Sequence, residues 1–181
     1  MCGGIHPIRE KSKLNWIEEY GRVSAMSKTR SFLAFMVLFV LVFSVSYLGS
    51  LATDSTVGSW YRQLERPFWT PPSWTFAPVW ATLYLLMTIS AWMVWRQMGK
   101  LGWPLWLFGI HLFLNFLWSI LFFGLQLPGW AFLEILLLVV AIVLVQFSFA
   151  PIHRKAAMLL IPYLVWVVYA STLNGAIWLM N

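Results

Sequence analysis

Charge is what this sequence has least of. Asp, Glu, Lys and Arg make up 10% of its 181 residues, where a soluble domain carries about 25%. With 61% hydrophobic residues and a mean hydropathy of +0.76, so much apolar surface cannot be hidden in one water-soluble core. The composition is that of a membrane protein. Cysteine is nearly absent: the single Cys2 excludes a disulfide framework and a thiolate metal cluster. Cys2 also lacks the upstream apolar stretch of a lipoprotein signal and carries no role. There is no Ser–His–Asp set, no pair of intramembrane carboxylates, no metal cluster and no Gly-rich phosphate loop after a strand, so catalysis has little to work with. No repeat points to a transporter with inverted halves.

What the chain does have is long apolar runs. Five are long enough to cross a bilayer, which takes about 20 residues: 31–52, 75–95, 101–123, 128–150 and 156–180. The first, second and fifth hold no charge; the third holds His111 and the fourth Glu134. None has the short apolar core and small-residue cleavage site of a signal peptide. Three of the four connectors are short, which forces neighbouring helices antiparallel. The expected fold is an all-α integral membrane protein, a five-transmembrane-helix up-down bundle over residues 31–181. Pro78, Pro104 and Pro128 fall in first turns, where a missing N–H does no harm. Pro162 lies inside the fifth run and predicts a kink. Residues 1–30 read as a disordered polar leader, favoured over a weak interfacial helix with Leu14, Ile17 and Tyr20 on one stripe. Met26, just before a short basic stretch, is a candidate alternative start.

The net charge of +6 is a topology signal rather than a nucleic-acid footprint. Ten of the twelve Lys and Arg fall in the leader and in the 96–100 and 154–155 connectors, all on one side. Only Arg62 and Arg66 are on the other. The positive-inside rule then puts the N-terminus in the cytoplasm, and the 53–74 loop and C-terminus outside.

Aromatics reach 18%, with 13 Trp. Trp92, Trp95, Trp103, Trp106, Trp130 and Trp178 lie near helix ends and fit an interface belt. Others lie deeper. Trp80 and Tyr84 are spaced i, i+4 and share a face of the second helix. His111, Asn115 and Trp118 form one polar stripe on the third, and polar groups at that depth face the bundle interior or a wet cavity. With Asn174 on the fifth helix, they suggest an aromatic pocket for a large, flat, apolar ligand such as a tetrapyrrole or a sterol. His111 alone, with no second candidate nearby, is a poor haem ligand. Glu134 reads as a carboxylate reaching for headgroup water or for Arg62 or Arg66.

The connector 60–74, WYRQLERPFWTPPSW, concentrates five aromatics and three prolines in fifteen residues. Pro67, Pro71 and Pro72 stiffen it. Trp60, Trp69 and Trp74 can lie at headgroup level and fold over the bundle mouth, while Arg62 and Arg66 can meet a ligand's carboxylates. The expectation is a lid over an aromatic cavity.

WYRQLERPFWTPPSWTFAPVWATLYLLM (Trp60–Met87), LFLNFLWSILFFG (Leu112–Gly124) and LLIPYLVWVVYASTLN (Leu159–Asn174) resemble, in order, the loop and helix signatures of the translocator protein / tryptophan-rich sensory protein (TspO/MBR) family. That resemblance spans residues 31–181. It implies a five-helix, often dimeric bundle that binds protoporphyrin IX or haem as ligand, with no obligatory cofactor and no metal. It implies a sensor or carrier in tetrapyrrole transport or stress regulation. The ligand-binding positions it implies are Tyr61, Trp80, Tyr84, Asn115, Trp118, Trp166, Ala170 and Asn174. Two alternatives stay open: a porphyrin-degrading enzyme using Trp80 and Trp166, and a channel or secondary transporter. A binding protein is favoured over an enzyme. After Asn174 the sequence GAIWLMN lacks the Tyr and Arg of a proposed cholesterol motif, which argues against a sterol and for a bacterial-type member in a cell membrane. Gly102 and Gly109, seven apart, leave room for close helix contact and a homodimer.

Overall fold

With no water in the hydrocarbon region, each spanning segment must satisfy its own backbone N–H and C=O groups, and helices do this internally. The computed structural model describes residues 27–57 and 59–181. Its elements are α1 (Lys28–Val57), α2 (Trp60–Gln63), a 3-10 turn (Ser73–Thr75), α3 (Phe76–Met98), α4 (Trp103–Ser119) continued by a π-helical turn (Ile120–Gly124), α5 (Pro128–Phe149), α6 (Arg154–Leu159) and α7 (Ile161–Met180). Five segments are long and apolar enough to span a membrane: Lys28–Leu51, Ser73–Met98, Trp103–Gly124, Pro128–Phe149 and Arg154–Met180. The protein is an all-α, multi-pass membrane protein. The leader expectations for residues 1–26 lie outside the described residues.

α4 packs along α5 and α5 along α7, while α1 packs on α3 and α4, and α3 on α6. The spans therefore close into a ring in the order first, second, fifth, fourth, third. Met87, Leu112, Ile135, Ile142, Phe149, Tyr163 and Val167 fill its interior. α1 is the loosest member. Only 11% of its apolar window is buried inside the protein, against 33–39% for the other four.

Proline and glycine set the helix ends. Pro104 and Pro128 sit in the first positions of α4 and α5. Gly99 ends α3 in the left-handed region (φ 67°), its N–H donating to the Trp95 carbonyl, a conformation glycine adopts without steric cost. In the fifth span the helix breaks at Leu160, whose N–H donates to the Ala157 carbonyl at 3.2 Å, and Pro162 occupies the first turn of α7. The missing proline N–H thus costs α7 nothing. The π turn is not legible in the sequence: Leu125 N–H donates to the Ile120 carbonyl at 2.8 Å, adding one residue to the turn and re-aiming Phe122 and Phe123.

One end of the ring is tightly joined. Trp92 Nε1 donates to the Ser31 carbonyl at 2.9 Å, and Ser90 Oγ to the Ala156 carbonyl at 2.8 Å. The guanidinium of Arg96 lies 4.8 Å from the Trp92 ring centre and that of Arg30 lies 5.8 Å from Trp95. The opposite end carries the long connector between α1 and α3.

The α5–α7 contact can be probed at Gly175. A Cβ there would stand 2.9 Å from the Phe132 ring, whereas one at Gly109 would meet nothing within 4 Å. Gly175→Leu should lower stability by roughly 1–3 kcal/mol, the usual cost of overpacking. Gly109→Leu should not. Thermal unfolding of both variants in detergent checks this.

Candidate functional site

Beneath the connector between α1 and α3 lies a cavity of about 440 Å³, within the ~300–1,000 Å³ range of small-molecule sites. α3 supplies Phe76, Ala77, Trp80, Ala81 and Tyr84 to its wall, and α4 supplies Trp118, Ser119 and Phe123. α1 adds Phe43, Ser46, Gly49, Ser50 and Thr53, and the connector adds Tyr61, Arg66, Pro71 and Ser73. Residues 77, 80, 81 and 84 recur at helical spacing, so one face of α3 forms a continuous panel. Within it Trp80 stacks on Tyr84, ring centres 5.5 Å apart and 29° between planes.

Two asparagines hold this wall from behind. The Tyr84 hydroxyl donates to Asn115 Oδ1 at 2.7 Å, and Asn115 Nδ2 donates to the Tyr163 oxygen at 3.1 Å. Trp118 Nε1 donates to Asn174 Oδ1 at 3.0 Å, and Asn174 Nδ2 to the Pro128 carbonyl at 2.7 Å. Asn115 and Asn174 are both buried, and neither lines the cavity.

Of the eight positions the family resemblance implies, Tyr61, Trp80, Tyr84 and Trp118 therefore stand on the wall, with Asn115 and Asn174 one layer back. Trp166 is also off the wall. Its ring meets Phe76 edge-on at 5.8 Å, and its Nε1 is buried with no partner among the described residues. Ala170 packs against the core beside it. Of the seven positions expected to form the lid, Arg66 and Pro71 line the cavity. Trp60 packs on Phe122 at 5.8 Å, Arg62 and Pro72 are exposed, and Trp74 is 74% exposed.

The connector is tied down from α7. The Tyr169 hydroxyl donates to the Trp69 carbonyl at 2.6 Å. The Asn181 carboxamide accepts from the Glu65 N–H at 3.0 Å and donates to the Glu65 carbonyl at 3.1 Å. Arg66 lies over the Tyr61 ring, 5.5 Å from its centre. Burial pushes the Tyr61 phenol above its ordinary value, and Arg66 partly offsets this. Arg66 thus sets a cation and five N–H donors at the mouth of a chamber whose other lining side chains carry no charge.

The α1 stripe was not singled out from sequence. Ser46, Gly49, Ser50 and Thr53 follow i, i+3, i+4, i+7 in an otherwise apolar span, and that spacing was the available signal. At Gly49 the absent Cβ leaves room for Ser119, whose Oγ would lie 3.2 Å from it. Glu134 departs from expectation. It does not reach headgroup water, Arg62 or Arg66. It is 5% exposed, and neither carboxyl oxygen has a hydrogen-bond partner among the described residues. The reason is its helix face: Ala131, Ile135 and Leu138 lie on the same buried side of α5.

The model of the TspO/MBR family matches residues 36–179. The chain is 41% identical over 147 residues to the tryptophan-rich protein TspO of Archaeoglobus fulgidus, covering 77% of this chain and 92% of that one. It is 38% identical over 145 residues to the tryptophan-rich protein TspO of Chlorobaculum tepidum, covering 78% and 91%. It is 37% identical over 140 residues to the translocator protein of Sus scrofa, covering 74% and 83%.

If Asn174 holds the wall, Asn174→Leu should lower stability by roughly 1–2 kcal/mol, since it leaves the Trp118 N–H without its partner in a lipid setting. Ser148→Ala, which removes only a bond to its own helix, should change it little. Unfolding midpoints in one detergent compare the two.

Proposed function

The chain belongs to the TspO/MBR family, and from that premise we propose that it is a membrane receptor or carrier that binds tetrapyrroles, protoporphyrin IX or haem, in the cavity under the connector between α1 and α3. The observation that supports this reading best is the pairing of a flat Trp80–Tyr84 panel with Arg66 at the mouth. A planar macrocycle stacks on the panel with offset ring geometry. Its carboxylates stay near the mouth, where a guanidinium can bind them in a fork. The connector acts as a lid, pinned by Tyr169 and Asn181, and its prolines reduce the ordering cost of closure. In the membrane the basic end faces the cytoplasm, and the lid and C-terminus face outward. The binding then serves tetrapyrrole transport or stress regulation. Porphyrin breakdown is the weaker reading, because Trp166 stands behind Phe76 rather than on the cavity wall.

Titration of the purified protein with protoporphyrin IX, followed by quenching of Trp fluorescence, tests this. Trp80→Ala should weaken binding of both the free acid and its dimethyl ester. Arg66→Gln should weaken the free acid about tenfold, equivalent to ~1.4 kcal/mol, and leave the ester unchanged. Equal binding by wild type and Trp80→Ala would remove the ligand from this cavity.

A further inference from the structure

The end of the ring opposite the cavity carries positive charge that no described residue balances. Lys28, Arg30, Arg96, Lys100, Arg154 and Lys155 all lie there, whereas the described acids, Asp54, Glu65 and Glu134, lie in the other half of the bundle. Unbalanced charge alone is a topology signal. Two of the six cations are more than that, because the fold holds them in place.

Arg96 rests on the Trp92 ring, 4.8 Å from its centre. Trp92 is itself fixed: its Nε1 donates to the Ser31 carbonyl at 2.9 Å, and its ring meets Phe35 edge-on at 5.7 Å. Arg30, in the first turn of α1, crosses to α3. There its guanidinium rests on Trp95 and donates to the Gly99 carbonyl at 3.4 Å. Trp92 and Trp95 are three residues apart, a step of about 4.5 Å along the helix, so both guanidiniums lie on one short stretch of the α1–α3 seam. Arg96 has no hydrogen-bond acceptor among the described residues. A guanidinium shelved on an aromatic face keeps its planar edge of N–H donors open to a phosphate. Holding it there in advance lowers the entropy lost when an anion binds.

The surroundings favour an anion that carries acyl chains. Tryptophans near helix ends mark headgroup level. Phe32, Leu33, Leu101 and Trp103, close to the two arginines in sequence, are exposed apolar side chains, and α1 buries the least of its apolar window within the protein. An acyl chain covers such a surface, and a free anion does not.

We propose that the α1–α3 seam at the basic end is a binding site for one anionic phospholipid, with its phosphate on Arg96 and Arg30 and its acyl chains along α1. Basic pockets between spans suit acidic headgroups. A zwitterionic lipid brings a cation of its own to the same place and binds less well. The bound lipid fastens α1, the loosest span, to α3, whatever guest the cavity takes.

Native mass spectrometry of the full chain in detergent, titrated with dioleoylphosphatidylglycerol or dioleoylphosphatidylcholine, tests this. The wild type should retain one phosphatidylglycerol under conditions that strip phosphatidylcholine. Arg96→Gln and Arg30→Gln should each weaken phosphatidylglycerol binding roughly fivefold. Arg96→Lys should weaken it too, since it keeps the charge but loses the planar fork. Arg154→Gln removes the same charge at the same end but off the seam, and should leave binding unchanged. Inorganic phosphate in excess should not displace the lipid. All three arginines are exposed, so these variants should fold. Equal retention of the two lipids would overturn the proposal. So would equal losses in Arg96→Gln and Arg154→Gln, or wild-type binding by Arg96→Lys, either of which reduces the effect to bulk charge. Displacement by inorganic phosphate would replace the lipid with a free anion and overturn it as well.

Discussion

The hydrogen bond from the Tyr84 hydroxyl to Asn115, continued to Tyr163, is the contact on which the site depends. It links α3, α4 and α7 across the middle of the ring. Hydrocarbon cannot take the place of these partners, so each phenol and the carboxamide are fixed by one another. The Tyr84 ring is thereby held at one angle, and Trp80 can stack on it. The panel is rigid because its support is polar, while the surface it turns toward the cavity is aromatic. Asn174 repeats the arrangement for Trp118, fastening it to the start of α5.

Around this fixed half the remaining cavity wall is held more lightly. α1 is the least buried span, and it meets the site through small and hydroxylic side chains that interlock weakly. The connector rests on main-chain bonds to Tyr169 and Asn181, all near the surface. Segments with few buried contacts open at low free-energy cost. A cavity with one rigid wall and one loosely held wall can admit a large guest without disturbing the stacked panel.

The five spans were legible because apolar runs of this length have no other stable form in this composition. Their ends were less so. α1 starts at Lys28 rather than at residue 31, since long cationic side chains can extend a helix while their heads stay in the interface. At the site, residue type and spacing pointed to Trp80, Tyr84 and Trp118. The same signals could not separate Asn115, which holds a wall residue, from a group that lines the wall, since both are polar side chains on an inward face. Glu134 was misread because sequence gives depth along a helix but not the direction of a single side chain around it. The π turn depends on how α4 closes against the connector before α5, and no local residue pattern encodes that.

The two ends of the bundle differ for one reason, the length of chain available to satisfy the helix termini. At the basic end the connectors are short, and cation–π contacts and main-chain bonds from Trp92 and Ser90 join neighbouring spans directly. At the other end the chain from α1 to α3 is long enough to leave the ring, turn through α2 and return across the mouth. Proline limits its freedom, so the span is covered without a large loss of entropy. The cavity exists at that end because the connector there is long, and Arg66 is the single described cation among its lining residues. Charge is therefore confined to the mouth, and between the mouth and the asparagine layer the aromatic panel faces the neutral hydroxyl side chains of α1.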